Sequence, residues 1–125
     1  MKTTKRHFKI FSREIEQWAQ KLGMHEWRIT VFHKKNARVE NARASFVAYV
    51  QDRIATIYLE PDWGEGDYRL SDCIIRKSAM HEILHLLFAR LTYLSVSRAA
   101  TQEQIDEEEH ALVHRLEALF FGTLE

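Results

Sequence analysis

The chain has 125 residues, 46% of them hydrophobic, and its 18 basic and 18 acidic side chains give a net charge of zero. This length and composition suffice for one hydrophobic core, and no linker, repeat or low-complexity segment divides it, so residues 1–125 are predicted to form a single domain. No apolar run approaches a membrane span of roughly 18 residues, and residues 1–7 lack the apolar core of a signal peptide, which predicts no membrane association and a cytoplasmic location. The single cysteine, Cys73, excludes an internal disulfide and is expected to be a small core residue.

The first half of the chain predicts one helix and three strands. Apolar residues at steps of three and four predict an amphipathic helix over residues 7–22, which packs on the core. Alternating apolar and polar residues predict a half-buried strand over residues 27–33. Two further β-rich runs, 44–50 and 54–59, are separated by a short polar turn and are expected to pair as a hairpin. We therefore expect a small antiparallel sheet.

A loop and a second helix follow the strands. The only proline and two of the four glycines fall in residues 60–67, which marks a loop. The next helix is expected to begin near Asp67 or Ser71. Its most informative part is the string His-Glu-Ile-Leu-His at residues 81–85, which lies among apolar residues without glycine or proline.

This His-Glu-x-x-His string (HExxH) has the spacing of a zinc hydrolase motif. Residues four apart on a helix lie over one another, so the imidazoles of His81 and His85 can reach one zinc ion. Glu82 would then project beside them toward a metal-bound water. We expect both histidines to lie on the inward face of the helix. The alternative is that both are hydrogen-bonded core histidines and that Glu82 is a solvated charge.

A catalytic zinc site uses three protein ligands, so a third ligand is required. Thr101 and Gln104 form a capping-box signal for a last helix, and Gly122 is a plausible end for it. The apolar stripe of this helix is predicted from Ile105, Leu112, Val113, Leu116, Leu119 and Phe120. At about 100° per residue, Glu109 falls within about 30° of the centre of this stripe. A carboxylate aimed into an apolar face is costly unless a cation neutralises it, which makes Glu109 the predicted third ligand and Glu108 its main rival.

The HExxH string followed by an acidic helix with a Glu ligand resembles the gluzincin group of zincin-like metallopeptidases. More narrowly, it resembles the small single-domain metallopeptidases of phage and prophage genomes. The likeness covers most of the chain, including Leu22-Gly23 at the end of the leading helix and Trp27-Arg28-Ile29 at the start of a strand. The resemblance implies an α+β, zincin-like minimal domain with an N-terminal helix, a three-stranded antiparallel sheet, the HExxH helix and a C-terminal helix.

The expected activity is hydrolysis of a peptide bond in a peptide or protein substrate. His81, His85 and Glu109 would hold Zn²⁺, whose charge lowers the pKa of bound water toward about 7. Glu82 would take the proton of that water and pass it to the leaving amine. A non-catalytic, zinc-stabilised regulatory or interaction module is the alternative, and an ordinary metal-free α+β interaction domain is a third possibility.

Other parts of the predicted site are less specified by the sequence. By resemblance, the strand over residues 54–59 is the candidate edge strand that aligns a peptide substrate as an added strand. Candidates for stabilising the oxyanion are Tyr68, Tyr93, His110 and His114, and the sequence does not select among them.

The charges are unevenly distributed along the chain. Residues 1–53 contain 12 Lys and Arg against 5 Asp and Glu, whereas residues 101–125 contain 1 against 7. We expect the positive charges of the first half and the negative charges of the last helix to attract one another within the fold. No nucleic-acid recognition motif accompanies the basic half, so a nucleic acid is not expected as a partner.

Overall fold

The computed structural model describes residues 1–65 and 70–122. Within these ranges it is an α+β arrangement in which the elements follow the order α1 (Lys5–Lys21), β1 (Arg28–Phe32), β2 (Ala44–Tyr49), β3 (Ile54–Leu59), α2 (Asp72–Val96) and α3 (Gln102–Phe121). The predicted helices and strands are therefore present; the bounds of β3 are those predicted, and the other boundaries differ by one to a few residues. Ser71 is the N-cap of α2, so this choice of helix start is confirmed, whereas Asp67 lies outside the described residues.

The sheet is mixed, so the prediction of an antiparallel sheet is wrong. Its strand order is β1-β3-β2, with β2 antiparallel to β3, as the predicted hairpin requires. β1, however, pairs with β3 in parallel. The chain reverses direction twice between these two strands, so they run the same way, and β3 takes the central position beside β1. Ala55, Ile57 and Leu59 of β3 are fully buried, which suits a central strand.

The helix ends are fixed by side chains that satisfy free backbone groups. In α1, the side chains of Thr4 and His7 bond each other's backbone N–H in a capping box. The predicted capping box of Thr101 and Gln104 is confirmed at the start of α3. Gly122 follows α3 with a φ of 72°, a conformation that glycine adopts without steric cost.

The core lies between one face of the sheet and the three helices. α2 is its central element because it packs against α1, β2 and α3. One side of α2 faces the core. Its fully buried residues are Ile75, Ala79, Ile83 and Leu86. Cys73 lies in the first turn of α2 and is exposed, so the prediction of a core cysteine is wrong. None of the described helices is long and apolar enough to cross a membrane.

The rotation of α3 about its own axis differs from the sequence prediction. Leu112 is the buried residue of this helix, with 3% of its surface exposed, and Leu116 and Leu119 pack beside the core. Val113 and Phe120, which the predicted stripe counted as inward, are 49% and 75% exposed. α3 covers the core with one narrow side, so apolar residues at the margin of the stripe remain in solvent.

Adjacent alanine substitutions in α3 test this rotation. We expect Leu112→Ala to lower the free energy of unfolding by about 3 kcal/mol, because it removes buried methyl groups and leaves a cavity. Val113→Ala is the matched control and should cost less than about 1 kcal/mol, because the valine is half exposed. Urea unfolding of the two variants measures the difference, and equal losses of stability would contradict the described packing of α3.

Candidate metal centre

The two histidines of the HExxH string converge on each other. The Nε2 atoms of His81 and His85 are 3.0 Å apart, and the rings meet edge to face with centroids 4.6 Å apart. Two nitrogens bound to a tetrahedral zinc ion at about 2.05 Å would be about 3.3 Å apart. The imidazole pair therefore needs only a small adjustment to occupy two corners of a zinc site. Without a metal, one ring can donate its N–H to the other.

The imidazole pair lies on the exposed side of α2, so the prediction that it faces inward is wrong. His81 and His85 are both exposed. With Leu84 and Phe88 they line an open hollow of about 260 Å³. The sequence could not identify the inward side of α2 because apolar residues occur on all sides of this helix. The pair is accessible to a metal ion and to a substrate.

Phe46 of β2 supports the site from the sheet. Its ring stacks on the His85 imidazole, with centroids 5.5 Å apart and ring planes 15° from parallel. This contact limits rotation of the imidazole and keeps its Nε2 directed at His81. The sequence gives no signal for this contact, because it depends on how β2 packs against α2.

Glu82 is buried next to this exposed pair. Only 6% of its surface is exposed, and its helical neighbours Ala79 and Leu86 are fully buried. Burial raises the pKa of the Glu82 carboxyl from 4.5 to about 7, because the charged form loses contact with water. Among the described residues, no hydrogen bond joins this carboxyl to either imidazole. The acid lies beside the imidazole pair but on the core side of the helix.

Glu109, the predicted third ligand, is exposed, so the prediction that it points inward is wrong. Its neighbour Glu108 is half-buried and accepts a hydrogen bond of 3.0 Å from Arg90 Nε of α2. Arg90 follows His81 by nine residues, which is about 180° around the helix. α3 therefore packs on the side of α2 opposite His81.

The described part of the chain contains no group of three His, Cys, Asp or Glu side chains that could hold a metal ion. The structure brings His81 and His85 together and does not bring Glu109 to them. The role of Glu109 as a ligand stays a prediction that the present packing of α3 does not favour.

The predicted oxyanion candidates are not gathered around the hollow. Tyr93 accepts a hydrogen bond of 2.7 Å from Gln51 and lies eight residues beyond His85, about 12 Å along the helix axis. His110 and His114 form an edge-to-face pair on α3, with centroids 4.5 Å apart. Tyr68 lies outside the described residues.

No protein-family model, curated protein or solved structure matches the chain. The resemblance to gluzincins therefore rests on the HExxH string and the pattern of helices.

The burial of Glu82 predicts a stability that depends on pH in the absence of metal. Because its pKa is about 7 in the folded chain against an ordinary 4.5, the folded state holds the proton more tightly than the unfolded state. The stability that this proton confers is complete below pH 4.5 and is lost as the pH rises to about 7. Glu82→Gln stays neutral, so its Tm relative to the original chain should be higher at pH 8 than at pH 5.

Thermal unfolding in EDTA at the two pH values measures this effect. Glu109→Gln is the matched control, because its side chain is exposed and should change the Tm little at either pH. A Glu82→Gln variant whose Tm difference is the same at pH 5 and pH 8 would show that the carboxyl is not desolvated.

Proposed function

We propose that this chain is a zinc-dependent peptidase in which His81 and His85 bind the metal and Glu82 is the general base. The observation that carries the proposal is the 3.0 Å approach of the two Nε2 atoms on the open side of α2. Two neutral imidazoles are ordinary zinc ligands, and the separation of their Nε2 atoms is close to that between two nitrogen ligands of one zinc ion. The surrounding hollow leaves room for solvent and for a substrate carbonyl group.

The donor set fits zinc in part. The two imidazoles suit it, and the remaining protein ligand would have to come from Glu109 or Glu108 after α3 changes its packing. Zinc, when bound, supplies Lewis acidity that acidifies water and polarises a carbonyl group. Burial holds the pKa of the Glu82 carboxyl at about 7, and contact with water in the hollow would lower that pKa, so the side chain would act there as a carboxylate that accepts a proton. To act at the hollow, the Glu82 side chain would turn away from the core.

β2 is the strand that best suits a peptide substrate. The earlier expectation for residues 54–59 is wrong, because β3 is paired on both sides in the order β1-β3-β2. β2 is at an edge of the sheet, and its Phe46 touches His85. An extended peptide added to the free edge of β2 would pass near the imidazole pair and gain main-chain hydrogen bonds. A cytoplasmic location stays a prediction.

Zinc binding and hydrolysis should separate in variants of the HExxH string. His81→Ala should lose bound zinc and activity together, because one imidazole alone is a weak ligand. Glu82→Gln should keep zinc and lower peptide hydrolysis by at least about 100-fold, because the general base is removed. Elemental analysis and a mixed fluorogenic peptide library measure the two properties. His25→Ala is the control histidine substitution, because this exposed residue lies in the turn after α1, and it should change neither property.

The zinc content of Glu109→Gln tests whether Glu109 is the third ligand. Zinc retained in this variant would exclude Glu109 from the ligand set, and zinc lost would show that α3 rearranges when the metal binds. Full hydrolytic activity in Glu82→Gln would contradict the proposed mechanism.

A zinc-stabilised module without catalysis is the second candidate, and the burial of Glu82 favours it. The carboxyl lies on the core side of α2 and makes no hydrogen bond with a described imidazole. This candidate predicts that zinc raises the Tm while Glu82→Gln has no effect on function. The same set of variants therefore distinguishes the two candidates.

A further inference from the structure

The sheet has an exposed aromatic surface on the side opposite the helices. In the paired strands, Phe32 lies beside Tyr58, and Ile54 lies beside Tyr49. Side chains alternate along a strand, so these four residues project away from the core-facing Ile57. Phe32, Ile54 and Tyr49 are 38%, 42% and 52% exposed. We call this surface, defined by Phe32, Tyr49, Ile54 and Tyr58, the outer face.

The rings of the outer face provide two separate stacking positions. Phe32 and Tyr58 are adjacent, with centroids 5.9 Å apart and planes inclined by 32°. Tyr58 of β3 pairs with Ser45 of β2. Tyr49 follows Ser45 by four residues on β2, which places it about 13 Å from Tyr58. Exposed aromatic residues on a sheet offer flat surfaces on which bases can stack. The distance between the two positions allows more than one base to bind.

A basic loop is attached to one end of the outer face. Asn36 is buried, with 5% of its surface exposed, and its side-chain amide donates a hydrogen bond of 3.1 Å to Ser45 Oγ. The carbonyl oxygen of the same side chain accepts a hydrogen bond of 3.1 Å from the backbone N–H of Arg38. These two bonds hold Asn36 against Ser45 of the sheet, two residues after Lys34, whose ammonium group lies over the Phe32 ring.

The charges around the outer face are mainly positive. Arg28, Lys34, Lys35 and Arg38 are exposed, and within residues 1–65 and 70–122 none of them forms an ion pair. Lys34 Nζ lies 4.4 Å from the centre of the Phe32 ring. No acidic residue occupies the outward positions of the three strands. Cations beside exposed rings suit a ligand that has both anionic groups and flat aromatic groups.

We propose, in contrast to the expectation from the sequence, that the outer face binds single-stranded nucleic acid. Bases would stack on the Phe32–Tyr58 pair and on Tyr49, while the cations of the loop and of β1 neutralise phosphates. An acidic peptide would use the cations but has no need for the rings, and a duplex does not present the faces of its bases. The site is on the opposite side of the sheet from α2, so it is independent of the proposed metal centre.

Fluorescence anisotropy with a labelled oligothymidylate of about 15 nucleotides tests the proposal. Tyr49→Ala and Phe32→Ala should each weaken binding about tenfold, because each removes a stacking surface. Phe120→Ala is the matched control, because this ring is 75% exposed on α3, and it should bind as the original chain does. Binding should also survive His81→Ala, since that residue is not part of the outer face.

Salt dependence tests the cations in the same assay. The logarithm of Kd should rise with the logarithm of salt concentration with a slope of about 2 to 3, as expected for three or four phosphate contacts. Replacing Lys34 and Lys35 together with Gln should reduce that slope by about one. Lys9→Gln, an exposed lysine of α1, is the control and should leave the slope unchanged.

Three results would overturn the proposal. They are the absence of binding at 50 mM salt and micromolar protein, binding that Tyr49→Ala does not weaken, and equal competition by polyglutamate, which would indicate an acidic peptide as the partner. Circular dichroism verifies that each variant is folded. If Phe32→Ala is unfolded, Tyr49→Ala decides the result, because Tyr49 is the more exposed residue.

Discussion

Burial of one side of α2 is the constraint on which the candidate site depends. Ile75, Ala79, Ile83 and Leu86 have no exposed surface, and together they fix the rotation of the helix about its axis. With that rotation fixed, residues 81 and 85 can lie only on the open side. The helix thereby presents two imidazoles to solvent without any loop to position them. A rigid helix holds such side chains more accurately than a mobile segment does.

The same rotation of α2 places the Glu82 carboxyl on a different side of the helix from the two imidazoles. Glu82 is one residue from His81, about 100° around the helix, and this places its side chain among the core residues. Desolvation raises the pKa of the buried carboxyl to about 7, whereas contact with water at the hollow would lower it again. The two proposed functions differ in this respect, because catalysis would need the Glu82 carboxylate turned toward the hollow, whereas a zinc-stabilised module would keep the buried, protonated acid.

The sequence predicted the elements well because their signals are local. The capping box of Thr101 and Gln104 and the hairpin of β2 and β3 depend on residues that are close together in the chain. The parallel pairing of β1 with β3 depends on which strand takes the centre of the sheet, and that choice depends on the burial of all three strands. No pattern within a single strand specifies it.

The site was predicted less completely, for a related reason. The spacing of His81 and His85 fixes their mutual approach on any helix, and the structure has this approach. The direction of Glu109 was inferred from apolar residues that included Val113 and Phe120, and both remain exposed. An apolar residue marks the core only where another element covers it. The sequence does not predict the outer face, because its rings come from three strands and are brought together only by the register in which those strands pair.

The central claim is that the imidazoles of His81 and His85 bind one zinc ion together. X-ray absorption at the zinc edge of the metal-loaded protein measures this directly. We expect two imidazole ligands at about 2.0 Å, with oxygen atoms completing the coordination. A spectrum without imidazole scattering, or one that is unchanged in a variant lacking both histidines, would contradict it.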